Sequence, residues 1–169
     1  MTDPIRPTDD EARALARDLI AQARWAALAV LDPDSGGPMV SRIGVAPGPD
    51  GLPLALVSDL SHHSRALKAD PACSLLLGEP GAKGDPLTWP RLSLMGRARF
   101  IRHGETGHAA LAECYLRHQP KAKLYIGFGD FALLRFDIAS AHLNGGFGRA
   151  FVLHADDLRR VDQGDSQPQ

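Results

Sequence analysis

The chain has 169 residues, of which 44% are hydrophobic, and a formal net charge of -1 at pH 7. This length predicts a single domain, covering residues 1–169, with its own hydrophobic core. A nearly neutral chain is not expected to bind nucleic acid or a membrane surface by bulk electrostatics. The sequence contains neither a membrane-length apolar run nor a signal-peptide pattern, which favours a cytoplasmic protein.

The two cysteines, Cys73 and Cys114, are far apart and lack the spacing of a metal site. Cys73 lies in an apolar run and Cys114 in a predicted helix. We therefore expect two buried thiols of a reducing compartment, and no metal site built on cysteine.

The first half of the chain predicts one helix followed by several strands. Thr8-Asp-Asp-Glu11 has the pattern of a capping box, and apolar residues then recur at helical spacing, which predicts a helix over residues 9–24. Short apolar runs between turns rich in Gly and Pro predict strands at residues 25–31, 38–46, 52–58 and 72–78. A short helix over residues 62–69 ends before Pro71.

The second half begins with a long half-exposed strand over residues 91–103, in which apolar and polar residues alternate. Gly96 interrupts this strand and indicates a bulge or a barrel bend. A helix over residues 106–118 and strands over residues 131–138 and 150–153 follow. Residues 1–7 and 160–169 are predicted to be disordered tails.

This order of elements lacks the strand-helix-strand alternation of a parallel sheet. About six strands joined by tight turns, with helices inserted between some of them, predict a mainly β fold with peripheral α-helices. These elements suggest an antiparallel barrel. A barrel this small leaves an apolar face exposed, and such a face predicts a homodimer.

The junction between the strand at residues 52–58 and the helix at residues 62–69 is the most informative segment. Ser61 is a good N-cap, and Ser64 and Arg65 lie in the first helical turn, where free backbone N–H groups and the helix dipole favour an anion such as phosphate. The same pattern also fits a capped surface helix whose serines bond only its own backbone. The chain contains no Walker or Rossmann glycine pattern.

Three segments, taken in order, resemble the pyridoxamine 5'-phosphate oxidase-like, FMN-binding split-barrel family. They are Pro38-Met-Val-Ser-Arg42-Ile-Gly-Val, Ser58-Asp59 followed by His-His-Ser-Arg, and Arg91-Leu-Ser-Leu-Met-Gly96. The C-terminal segments Gly127-Phe-Gly-Asp130-Phe and Asn144-Gly-Gly-Phe-Gly-Arg-Ala150 are more specifically similar to its haem-utilisation branch, the HugZ-type proteins. Together the similarity covers roughly residues 12–158.

The resemblance implies an antiparallel split β-barrel homodimer that binds FMN at two sites across its interface. By position, the flavin and its ribityl chain would lie along Arg42, Ile43, Gly44 and Val45, and the ring near Ser58 and Asp59. The phosphate would be surrounded by His62, His63, Ser64 and Arg65. Arg91 stands where the oxidases carry a glutamine that contacts the cofactor from the partner subunit.

The haem-utilisation branch implies a different ligand. It places an iron ligand on a histidine near the C-terminus, and this chain has no histidine after His154. The candidates for a haem site are therefore His142, His154 and Asp130, the last of which resembles a branch aspartate associated with haem chemistry.

Three functions follow from these observations. The first is an FMN-dependent oxidoreductase of unknown substrate, although the chain lacks the C-terminal segment by which the oxidases recognise pyridoxamine phosphate. The second is a haem-binding or haem-degrading protein. The third is a non-catalytic dimeric binding protein. The sequence assigns no catalytic residue.

Overall fold

The computed structural model describes residues 5–160 and shows a closed barrel of six antiparallel strands. The barrel strands are β2 (Trp25–Leu31), β3 (Pro38–Pro47), β4 (Pro53–Ser58), β5 (Ala72–Leu77), β6 (Arg91–Ile101) and β7 (Phe131–Asn144). Their spatial order is β7-β4-β3-β2-β5-β6, and the pairing of β6 with β7 closes the barrel. The predicted mainly β split barrel is confirmed.

Two further strands extend the sheet beyond the barrel. Strand β8 (Ala150–Leu153) pairs antiparallel with β7, and β1 (Ile5–Arg6) pairs parallel with β8. The prediction that residues 1–7 are disordered is therefore wrong for β1, whose backbone groups pair with the edge of β8. In the predicted tail at residues 160–169, the backbone N–H of Arg160 donates to the Asp50 carbonyl oxygen at 2.9 Å. The tail predictions for residues 1–4 and 161–169 lie outside the described residues.

Within residues 5–160, four helices lie on the periphery of the barrel: α1 (Asp10–Gln22), α2 (His62–Ala69), α3 (His108–His118) and α4 (Ala155–Leu158). Two 3-10 turns cover Pro86–Thr88 and Pro120–Leu124. None of the helices in the described part of the chain is long and apolar enough to span a membrane.

The first helix is capped one residue later than the sequence pattern predicts. The side chain of Asp9, rather than that of Thr8, accepts a hydrogen bond from the backbone N–H of Ala12, at 2.8 Å. Thr8 instead donates its hydroxyl to the carbonyl oxygen of Val152, at 2.7 Å, because β8 passes beside the start of the helix.

Two other element boundaries also differ from the prediction. Strand β7 continues to Asn144, beyond the predicted end at residue 138, because its second half pairs with β6 on one side and with β8 on the other. Helix α3 begins at His108 because Gly107 has a positive φ of 85° and cannot be part of the helix.

Apolar side chains fill the barrel and a smaller cluster beneath α3. The barrel interior includes Leu28, Leu94 and Leu134, each at most 1% exposed, and the buried side chains of α1 pack in the same cluster. Of the two predicted buried thiols, Cys114 is buried, whereas Cys73 is only half-buried. Burial nevertheless raises the pKa of the Cys73 thiol to about 11. Both cysteines are free.

Gly96 forms the predicted bulge. The register of β6 against β7 shifts between Met95 and Gly96, and a Cβ at residue 96 would overlap the carbonyl oxygen of Asp137. The backbone of β7 thus approaches β6 more closely here than any side chain permits.

We expect Gly96→Ala to destabilise the protein by about 2 kcal/mol or more, because the new methyl group meets backbone in the strand pair that closes the barrel. Equilibrium urea unfolding measures this change. Gly127→Ala is the matched control, since a Cβ at residue 127 would meet no atom of the described residues within 4 Å. Equal free energies of unfolding for both variants would contradict the assignment.

Candidate functional site

The junction between β4 and α2 has the predicted helix cap. The Ser61 hydroxyl accepts a hydrogen bond from the Ser64 backbone N–H at 3.4 Å and donates to the Ser58 carbonyl oxygen at 2.7 Å. The Ser64 side chain is fully buried, and its hydroxyl lies 2.8 Å from that of Ser61. Ser64 therefore supports the cap and does not present its hydroxyl to a ligand.

The two basic side chains at the start of α2 are already paired with carboxylates. Arg65 donates from Nη2 to Asp34 Oδ2 at 2.6 Å, and His62 Nε2 lies 2.9 Å from Asp32 Oδ1. Both aspartates belong to the turn between β2 and β3. The structure therefore brings His62 and Arg65 together as predicted, but with carboxylates where the resemblance implied a phosphate.

Asp32 is held firmly in this arrangement. Its carboxylate accepts hydrogen bonds from the Ser35 hydroxyl at 2.7 Å and from the Asp34 backbone N–H at 3.4 Å. Its carbonyl oxygen accepts from the Gly36 N–H at 2.7 Å. The Ser35 hydroxyl, followed by His62, lowers the pKa of Asp32 to about 2, so the carboxylate is ionised at neutral pH.

His63 points away from this pair. Its Nδ1 lies 3.1 Å from the Ser41 hydroxyl on β3, and the ring is half-buried. Burial, followed by the neighbouring His62, lowers the pKa of His63 below its usual value. A neutral imidazole in this position contributes no positive charge to a site at neutral pH.

Asp59 forms the strongest ion pair of the junction. Its two oxygens accept from the two terminal nitrogens of Arg102, at 2.9 and 3.0 Å, and Lys68 Nζ lies 2.8 Å away. The hydrogen bond to Arg102, then that to Lys68, lowers the pKa of Asp59 to about 2. Asp59 thus joins α2 to the end of β6, and its oxygens are engaged by cations of the chain itself.

Ser58 contacts the haem candidate Asp130. Its hydroxyl donates to Asp130 Oδ2 at 2.5 Å, and the Asp59 backbone N–H donates to the Asp130 carbonyl oxygen at 2.7 Å. The sequence separation of 72 residues makes this contact a product of the β4–β7 pairing. Ser58, Asp59 and Asp130 are therefore neighbours, which the sequence did not indicate.

The segment from Arg42 to Val45 offers one side chain to a ligand. Ile43 and Val45 are buried in the barrel, and Gly44 lies against Tyr115, whose hydroxyl would be 2.8 Å from an added Cβ. Arg42 points outward, where its guanidinium stacks on the ring of Trp25 at 4.7 Å.

Arg91, the residue predicted to contact the cofactor from the partner subunit, binds the loop that precedes β6. Its Nη1 donates to the carbonyl oxygens of Leu87, at 2.9 Å, and Trp89, at 3.4 Å. The side chain fixes residues 86–90 at the start of β6 and is half-buried there.

Arg42 and His142 both lie on the outer face of the barrel, on strands four positions apart in the order β3-β2-β5-β6-β7. The strand registers place them at opposite ends of one row across five strands, and the row reads Arg42, Ala27, Leu76, Ser93, His142. All of these side chains point out of the barrel, but the row curves around it over about 19 Å, so its two ends face different directions. The third haem candidate, His154, is exposed at the start of α4, where its backbone N–H donates to Asp157.

A groove of about 400 Å³ opens on this outer face beside Arg42. Its apolar floor and wall include Ala27, Leu76 and Trp25, whose indole N–H donates to Glu79 at 3.4 Å. The remaining lining residues are Leu19, Gln22, Ala23, Arg24 and Gly78. The groove could not be predicted from the sequence. Every residue of β2 is apolar, so β2 lacks the alternation of apolar and polar residues that distinguishes inward from outward positions.

Acid titration tests the ion pair of Asp59. Its folded pKa of about 2 lies below the unfolded value of about 3.9, so the pair stabilises the protein above about pH 4 and this contribution is lost as the pH falls through about 2. We expect Arg102→Gln to raise the Asp59 pKa and to lower Tm at pH 7 more than at pH 2. NMR titration of the Asp59 carboxyl measures the pKa, with Arg117→Gln on exposed α3 as control. A wild-type pKa near 3.9 would contradict the prediction.

Comparisons with known proteins agree with this architecture. The family model described as "CREG, beta-barrel" matches residues 7–158. The non-canonical heme oxygenase HOZ, chloroplastic, of Arabidopsis thaliana is 34% identical over 119 residues, which are 69% of this chain and 35% of that protein. The chain thus spans about a third of the length of this relative.

Two solved structures have the same fold. The heme binding protein from Mycobacterium smegmatis is 30% identical, with a TM-score of 0.77 over 91% of this chain and 61% of that one. A protein of the pyridoxinephosphate oxidase family from Clostridium acetobutylicum, related to general stress protein 26, is 15% identical, with a TM-score of 0.67 over 89% and 99% of the two chains. The match to nearly the whole barrel shows that the chain belongs to the CREG beta-barrel family, whose fold is the split barrel of the pyridoxamine 5'-phosphate oxidase-like proteins.

Proposed function

We propose that the protein binds haem in the outer groove beside Arg42. The observation that supports this proposal is the composition of the groove, in which the apolar residues Ala27 and Leu76 lie beside the basic residue Arg24. A second cation, Arg42, stacks on the lining residue Trp25 at the edge of the groove. Haem has a flat apolar macrocycle and two carboxylates. A surface that recognises it needs apolar area for the ring and cations for the carboxylates, and the groove supplies both.

His142 is the candidate iron ligand. It is exposed on the outer face of the barrel, two strands away from Leu76 of the groove, which is roughly 10 Å around the barrel. A neutral imidazole is a common axial ligand of haem iron. His154 is the weaker candidate, because it lies at the start of α4. Bound haem would supply the redox and oxygen chemistry, and the protein would supply binding and orientation.

The relatives favour haem over flavin as the ligand. The Arabidopsis protein is named a heme oxygenase and the Mycobacterium protein a heme binding protein, and both are at least 30% identical to this chain. Haem binding, rather than haem degradation, is proposed here, because the chain spans only 35% of the Arabidopsis protein.

An FMN-dependent oxidoreductase is the second candidate. The capped start of α2 and the outward Arg42 favour it. The fit of the phosphate is poor, however, because His62 and Arg65 contact carboxylates and Ser64 is buried. A non-catalytic dimeric protein is the alternative if neither ligand binds.

Hemin titration tests the proposal. We expect a Soret band on addition of hemin and quenching of the fluorescence of Trp25, which lines the groove. Arg42→Ala should weaken hemin binding about tenfold, since the loss of one charge-assisted contact costs about 1.4 kcal/mol or more. His142→Ala should shift the Soret maximum of the complex, because an iron ligand is replaced.

Matched controls separate these effects from changes in charge or folding. Arg117→Ala removes an exposed arginine from α3, and His154→Ala removes the other candidate histidine. The absence of a Soret band in the wild type, or equal hemin affinity in Arg42→Ala and Arg117→Ala, would refute the proposed site. A tight FMN complex with no hemin complex would favour the flavoprotein.

We also propose that the protein is a homodimer that pairs through the outer face of β2, β3 and β5, so that the haem groove lies at the interface. Large apolar side chains are exposed there, with Val40 at 65%, Leu76 at 44% and Leu31 at 42%. Small residues such as Ala29, which pairs with Val40, lie between them and keep the face flat. A continuous apolar face of this kind is typical of an interface, and a two-fold axis lets the same face cover itself.

Sedimentation equilibrium should return twice the chain mass of 18.1 kDa at micromolar concentration. We expect Val40→Asp to dissociate the dimer, because it would bury a charge without a partner at the interface. Leu124→Asp places the same charge at a residue that is 79% exposed on the 3-10 turn after α3, outside the three strands of the proposed interface, and should leave the mass unchanged. A wild-type mass near 18 kDa would overturn the proposal.

A further inference from the structure

Four side chains at the start of α2 form one hydrogen-bonded chain. In order they are Asp34, Arg65, His62 and Asp32. The Arg65 guanidinium donates from Nη2 both to Asp34 Oδ2, at 2.6 Å, and to His62 Nδ1, at 3.2 Å. Because an arginine can only donate, His62 Nδ1 accepts this bond, and the ring proton lies on Nε2, which donates to Asp32.

This hydrogen-bond order fixes the charge of the cluster. A histidine that accepts at Nδ1 is neutral, so the one positive charge of Arg65 faces the two negative charges of Asp32 and Asp34. The sum is a single negative charge. The dipole and the free N–H groups at the start of α2 favour an anion. The carboxylates of Asp32 and Asp34 already supply that negative charge.

The two carboxylates come from outside the helix. Helix α2 has no acidic residue in its first turn, and Asp32 and Asp34 reach it from the turn between β2 and β3. Ser35 and the N–H of Gly36 fix Asp32 on this turn, and its side chain is 22% exposed. Asp34 is held more loosely, at 71% exposure.

We infer that Asp32 and Asp34 determine the ligand class of this barrel, because they occupy from within the chain the position that a ligand's phosphate would take. We call these two residues the carboxylate gate. A phosphate monoester would have to displace the gate from Arg65 and add its own negative charge to a cluster that is already negative. The gate thus excludes phosphate-bearing cofactors and leaves ligands that bind the outer groove unaffected. This exclusion does not depend on haem binding.

The test removes the negative charges of Asp32 and Asp34 while keeping side chains of nearly the same shape. The gate variant combines Asp32→Asn with Asp34→Asn. Its control combines Asp10→Asn with Asp156→Asn, which changes the net charge equally at two carboxylates that are fully exposed, at 101% and 98%. Inorganic phosphate is titrated against each protein, and the backbone amide NMR signals of Ser61, His62 and Arg65 report binding at α2.

We expect phosphate to shift these amide signals in the gate variant with a dissociation constant at least tenfold below that of the wild type and the control. Adding Arg65→Ala to the gate variant should abolish the gain, whereas Arg65→Ala alone should leave the wild type unchanged. FMN compared with riboflavin, which lacks the phosphate, should show the same pattern wherever a flavin binds. Hemin affinity should be equal in all variants.

Two results would overturn the inference. One is a folded gate variant that gains no phosphate affinity. The other is a wild type that binds phosphate at α2 as tightly as the gate variant does. If the double substitution unfolds the protein, Asp34→Asn alone serves as the test, because this exposed carboxylate forms its ion pair with Arg65, and a gain of less than threefold then refutes the inference.

Discussion

The pairing of β6 with β7 is the constraint on which the rest of the structure depends. It converts an open sheet into a closed barrel and so gives every strand an inner and an outer face. The inner face is filled by leucines such as Leu94 and Leu134. The closure needs Gly96, because the two backbones meet at the bulge where a side chain would overlap Asp137. Residues on the outer face do not pack into the core. They are therefore available to contact a ligand or a second copy of the chain.

The barrel separates two chemically different surfaces. The outer groove is lined largely by apolar side chains, and the guanidinium of Arg42 stacks on one of them, Trp25, at its edge. The start of α2 is charged, but its side chains are already engaged, since His62 and Arg65 each contact an aspartate. A cation that is already hydrogen bonded to a carboxylate attracts an anion far less than a free one does. This difference in charge between the two surfaces is the reason that haem, rather than FMN, is the ligand we propose.

Part of the candidate site is readable from the sequence. The sequence predicts Ser61 as the cap of α2, and the helix begins there, because capping is a local interaction between neighbours in the chain. It also predicts the bulge at Gly96, since a glycine within a strand most often marks a bulge, a bend or a close approach of backbone. The cap of α1 is misplaced by one residue in the prediction, because the hydroxyl of Thr8 bonds to a distant strand.

The partners of the charged residues could not be read from the sequence. Asp34 and Arg65 are 31 positions apart, and Ser58 and Asp130 are 72 apart, so only the path of the strands brings each pair together. Local periodicity and backbone preference are sufficient for the fold class, the helix cap and the bulge, which is why the chain's own residues specify these features. The folded barrel alone decides which basic side chains contact carboxylates, which face has the groove and where His142 lies. These properties depend on strand register and on contacts between residues remote in the chain.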